Sequence, residues 1–163
     1  MTHPGPIATL SWLSVIIGIA LVPGVIATGM AALPKAPRLA TVALLVVVTG
    51  WGVALVAPSI DMVAHAAFPT GVPQPDAVRM LGYLLDFTTP ALAFVILLFV
   101  VGHVLGTVLL GIALYHSRVI PRVVAVLLAI AQPLHFAAFV ILQNTYLDVA
   151  AAWLTAVGFG AAG

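Results

Sequence analysis

The chain has 163 residues, of which 64 % are hydrophobic and 6 % charged, and its formal net charge is +1. Soluble domains carry roughly 25 % charged residues, so this chain has too few polar side chains to cover a globule of its size. That excludes a soluble enzyme and a disordered chain, and five Lys and Arg residues cannot build the basic face a nucleic-acid binder needs. With no Cys there is no disulfide, thiolate nucleophile or zinc–thiolate site. With no Glu, the acids being Asp61, Asp76, Asp86 and Asp148, a His-Glu-x-x-His zinc motif is impossible. What remains is an all-α integral membrane bundle, a single domain with the lipid bilayer as its main partner.

A membrane helix needs about 20 apolar residues. The first such segment is 7–33, uncharged, with Pro23 inside it, which membrane helices tolerate. It lacks the basic flank of a cleaved signal peptide and reads as a span. A Pro-rich connector with Lys35 and Arg38 leads to the second span, 39–60. A polar, Pro-rich loop follows at 61–86. Within it Gln74-Pro75-Asp76 predicts a helix start, with Asp76 at the positive end of the dipole. Val78, Met80, Leu81, Leu84 and Leu85 then give either an interfacial helix or an extension of the next span.

The third span is 87–115, with Pro90 in its first turn. The connector 116–120 is so short that this span and the fourth, 121–142, form an antiparallel hairpin, with Pro121 suited to a first helical turn. The last apolar segment, 147–163, is short and reads as a short fifth span, a truncated span or an interfacial helix. If the spans alternate, Lys35, Arg38, Arg118 and Arg122 share one side, and Arg79 with the four Asp residues share the other. The positive-inside rule then places the N-terminus outside, the 34–38 and 116–122 connectors in the cytoplasm and the 61–86 loop outside.

Lipid gives no hydrophobic drive for helix association, so small residues must let helices approach. Ser14, Gly18 and Gly24 in the first span and Gly102, Gly106 and Gly111 in the third have the spacing of helix-contact faces. They serve packing within the chain or a homo-oligomer with a second copy or another membrane partner.

Ionisable groups deep in a span are costly and often functional. His103 and His135 are such groups, and each is sixteen residues from Val119 in the hairpin connector. That symmetry predicts the two imidazoles at one depth. Thr107 shares a helix face with His103, and Gln132 shares one with His135. Three readings suit this patch. The simplest is an interhelical clasp of neutral imidazoles. The second is a proton or small-solute path through His103, Gln132 and His135, which lacks a buried carboxylate. The third is haem b between the two His, whose weakness is that tightly packed neighbouring helices hardly place two ligands on opposite sides of one iron. Asp61 and His65, four apart, are a two-ligand metal candidate, more simply a solvated pair. No serine-nucleophile motif is present, so a serine-based intramembrane hydrolase is not expected.

The wording of segments three and four, Val101-Gly-His-Val-Leu-Gly-Thr-Val-Leu-Leu-Gly-Ile-Ala-Leu-Tyr115, Ser117-Arg-Val-Ile-Pro-Arg122 and Gln132-Pro-Leu-His-Phe136, resembles a group of uncharacterised bacterial multi-pass membrane proteins. The regions around Pro23 and Ala36–Thr41 are similar to them as well. The resemblance implies a helical bundle in a bacterial inner membrane and a final span at 147–163. Members of the group often carry another N-terminal span and a basic C-terminal tail, so this chain reads as a shortened member. No activity follows for any residue. The expected function is that of a structural or accessory membrane subunit, with transport as the alternative and haem-based redox chemistry third.

Overall fold

A computed structural model describes residues 4–54, 73–85 and 90–162, and these are all-helical. The elements are α1 (Pro4–Ala32), α2 (Pro37–Ala54), α3 (Gln74–Leu85), α4 (Pro90–Ser117), α5 (Arg122–Phe136) with a π-helical continuation (Ala137–Ile141), and α6 (Thr145–Gly160). Pro37 opens α2 and Pro90 opens α4, positions where a missing N–H costs nothing. Helix α1 continues through Pro23. Asp61 and His65 lie outside the described residues.

Helix α1 packs on α2, α2 on α4, α4 on α5 and α5 on α6, and α1 also reaches α4 and α6. Among the described residues α3 packs on none of the others. Two stretches, Ala93–Ser117 and Arg122–Ile141, are long and apolar enough to cross a membrane, and only 28 % of the apolar window in each is buried within the fold. A core helix of a soluble protein would be mostly buried. Here the outward faces are apolar as well, with Leu97, Leu105, Val123 and Ile130 all exposed. A helix that is apolar all round while largely uncovered has a surface suited to lipid. Helices Ile19–Ala32 and Pro37–Val53 are apolar but shorter.

The tightest seam joins α2 to α4. A Cβ added to Gly102 would sit 2.5 Å from the Gly50 Cα, and one added to Gly106 would sit 2.5 Å from the Val47 backbone. These backbones therefore touch because neither glycine carries a side chain. The pairings 50 with 102 and 47 with 106 run antiparallel, and extending that register brings the start of α2 beside the end of α4. Lys35 and Arg38 thus lie at the same end of the bundle as Arg118 and Arg122. Gly111 makes the corresponding approach to Ala125 and Ala129 of α5.

Among the described residues Gly24 does not belong to such a face, because a Cβ there would meet none of their atoms within 4 Å. The contact face of α1 runs instead through Val25, Thr28, Gly29 and Ala32, with Gly29 against Leu44. The small-residue spacing that ends at Gly24 misleads because the seam lies on the neighbouring face. Ser14 and Gly18 lie in α1, where the backbone alone is described.

Candidate functional site

Helices α2, α4, α5 and α6 converge on one polar cluster. His103, on α4, is 3 % exposed. Its Nδ1 lies 2.6 Å from the Phe99 carbonyl oxygen one turn earlier. A carbonyl can only accept, so Nδ1 carries the proton and Nε2 the lone pair. The ring stacks on Phe99 with centroids 4.2 Å apart and lies 5.4 Å from the Trp51 ring of α2. The centroid of His135, on α5, is 6.4 Å from that of His103. The short connector and the Gly111 approach bring these two rings together from a separation of thirty-two residues.

His135 has a second partner. Its Nδ1 donates to the Asp148 carboxylate, and the two side chains are 37 % and 26 % exposed. Asp148 stands in the first turn of α6, where a helix N-terminus favours negative charge. That turn is fixed by Asn144, whose Oδ1 accepts from the backbone N–H groups of Tyr146 at 3.1 Å and Leu147 at 3.2 Å. From the sequence Asp148 is expected only to share the outer side with the other Asp residues, with no partner in the polar patch. The signal that finds it is the midpoint test that pairs His103 with His135: residues 135 and 148 are centred on the turn between α5 and α6.

One turn deeper lies a second polar layer. Gln132 Nε2 donates to Thr155 Oγ1 at 3.0 Å, and that hydroxyl donates to the Ala151 carbonyl at 3.0 Å. Thr107 is fully buried. Thr107 Oγ1, Gln132 Oε1 and Trp51 Nε1 have no hydrogen-bond partner among the described residues, and an unmade bond costs about 1–3 kcal/mol for each such group. Below this layer, toward the end with the basic residues, Val25, Leu110, Leu114 and Leu128 are fully buried, and the buried Thr28 and Ser117 hydroxyls are each bonded to a carbonyl of their own helix. The polar residues thus form a well two layers deep, floored by leucine.

The mouth of the well adjoins a cavity of about 540 Å³ lined by Phe139, Val140, Gln143, Asn144, Thr145 and Asp148. It lies where the π-helical turn of 137–141 and the turn at Gln143 separate α5 from α6. π-Helical turns occur frequently at functional sites. The four sequence candidates, His103, Thr107, Gln132 and His135, all lie on the facing helices α4 and α5. Asp148, Thr155 and Trp51 complete the set. Among the described residues no three His, Cys, Asp or Glu side chains are grouped to hold a metal ion.

No protein-family model, curated protein or solved structure matches this chain.

Proposed function

We propose that this is a multi-pass integral membrane protein of the structural or accessory kind, with five spans and its polar well acting as the clasp that joins them. The observation that carries this reading is the way the buried polar side chains are used. His135 with Asp148 and Gln132 with Thr155 each tie α5 to α6, and His103 is held against α4's own backbone. Beneath them Leu110, Leu114 and Leu128 are fully buried, and the Thr28 and Ser117 hydroxyls are bonded within their own helices. The likeness of segments three and four to bacterial multi-pass proteins makes the bacterial inner membrane the proposed location.

Orientation follows from the basic end. Lys35, Arg38, Arg118 and Arg122 are proposed to be cytoplasmic, with the N-terminus outside and the C-terminus inside. Single substitutions Ala36→Cys, Thr70→Cys and Val119→Cys in this cysteine-free chain test it with a membrane-impermeant thiol reagent on intact cells. Labelling at 70 with protection at 36 and 119 is expected. The reverse pattern overturns the orientation.

Proton transport is the second reading, and one observation favours it. Asp148 supplies a carboxylate that reaches the imidazoles, so an acid–His135–His103 succession leads inward from the cavity. Proteoliposomes loaded with a pH-sensitive dye separate the two readings. The clasp predicts the leak of empty vesicles. Acidification that His103→Gln abolishes would establish transport.

A further inference from the structure

We propose that His103 and His135 form a two-nitrogen site for a soft, monovalent d10 metal ion, Cu(I) being the physiological case. This goes beyond the structural role and does not depend on it.

Both rings are prepared as ligands. The Phe99 carbonyl takes the Nδ1 proton of His103, and the Asp148 carboxylate takes that of His135. Each Nε2 therefore keeps its lone pair. A backbone carbonyl or carboxylate on the far ring nitrogen is the arrangement that fixes tautomer and orientation in metal-binding histidines, and it raises the basicity of the ligating nitrogen.

Spacing and ligand number select the ion. The ring centroids are 6.4 Å apart. With metal–nitrogen bonds of about 2 Å and about 1 Å from each nitrogen to its ring centre, a linear N–metal–N unit spans roughly 6 Å. A proton shared directly between the nitrogens, at a hydrogen-bond separation of about 2.8 Å, would bring the centres to roughly 5 Å. Zinc requires four ligands and calcium six or more oxygens, and no group of three His, Cys, Asp or Glu stands here among the described residues. Cu(I) is satisfied by two imidazoles in line. The neighbouring walls suit a singly charged ion, since Trp51 and Phe99 lie against His103 and Phe139 stacks on His135. Aromatic faces attract such a cation. The ion reaches the pair past Asp148, which lines the cavity at the mouth of the well.

The test uses the full chain in detergent micelles, without oxygen, titrated with Cu(I) against a coloured competing chelator. One equivalent is expected to stay with the protein, and X-ray absorption should show two nitrogen neighbours in line. His103→Gln and His135→Gln should each weaken retention at least about tenfold. Asp148→Asn, which leaves both ligands in place, should weaken it about 10–100-fold, the range for a lost orienting partner. Val123→Ala, at an exposed position on α5 outside the cluster, should leave it unchanged and so controls for general damage, with helicity and elution volume checking each fold. Ag(I), which cannot change oxidation state here, should bind with the same stoichiometry. The double variant H103Q/H135Q controls for Met1, Met30, Met62 and Met80, the other soft ligands. Equal Cu(I) retention by wild type and double variant overturns the site. So does release of all the Cu(I) to the chelator, preferential retention of Zn(II), or a haem absorbance band in the protein as purified.

Discussion

His135 and Asp148 join the last two helices through a single Nδ1–carboxylate contact, and the same imidazole faces His103 on the helix before. One side chain thus links three helices, and its neighbours decide whether the link is structural, protonic or metallic. Coupling across this contact is measurable. Hydrogen bonds between membrane helices average about 0.6 kcal/mol and reach about 1.7. A double-mutant cycle of His135→Gln and Asp148→Asn, read by unfolding in mixed micelles, should give a coupling near the upper value because one partner is charged. Additive losses would mean that the two side chains do not interact.

The second layer gives an asymmetric expectation. Thr155→Val removes the acceptor of Gln132 Nε2 and leaves a buried amide wholly unpaired, at a cost of about 1–3 kcal/mol. The double substitution Gln132→Leu with Thr155→Val removes both partners and should recover most of that loss. If the double variant is less stable than Thr155→Val alone, Gln132 has a role beyond this bond.

The glycines divide into two groups. Gly102→Ala and Gly106→Ala would drive a methyl into the α2 backbone, which cannot yield as a side chain does, and each should destabilise by about 1–3 kcal/mol. Gly24→Ala and Gly52→Ala meet nothing within 4 Å among the described residues and should be neutral or stabilising by up to about 1 kcal/mol, the helix-propensity difference. Thermal unfolding in detergent ranks the four. A tolerated Gly106→Ala would show that α2 and α4 do not pack at this depth.

Much of the fold was legible because long apolar helices announce themselves by unbroken apolar length, and short connectors force antiparallel neighbours. That was enough to put His103 beside His135. The helix at Gln74–Leu85 was legible from its Pro-Asp start. Other features depend on rotation about a helix axis, which apolarity all round does not reveal. In α1, Gly24 and Gly29 are equally small, and only packing distinguishes them. Asp148 was hidden for a different reason. A charge beside a span end reads as solvated, and nothing local shows that an Asn cap turns it inward toward a histidine thirteen residues earlier.

That cap yields the last prediction. Gln143 holds a left-handed backbone, φ 49°, immediately before Asn144 caps α6. A side chain in that conformation costs roughly 1–2 kcal/mol, and glycine adopts it freely. Gln143→Gly should therefore raise stability by up to about 1 kcal/mol and leave the site intact. Asn144→Ala removes both capping bonds and should cost about 1 kcal/mol, within the usual range of 0.5–2. Because Asp148 sits in the turn that this cap secures, the His135–Asp148 coupling should also fall in the Asn144→Ala background while the Gln132–Thr155 coupling stays unchanged. Equal loss of both couplings would mean that α6 shifts as a rigid body, and the cap would then not be what positions Asp148.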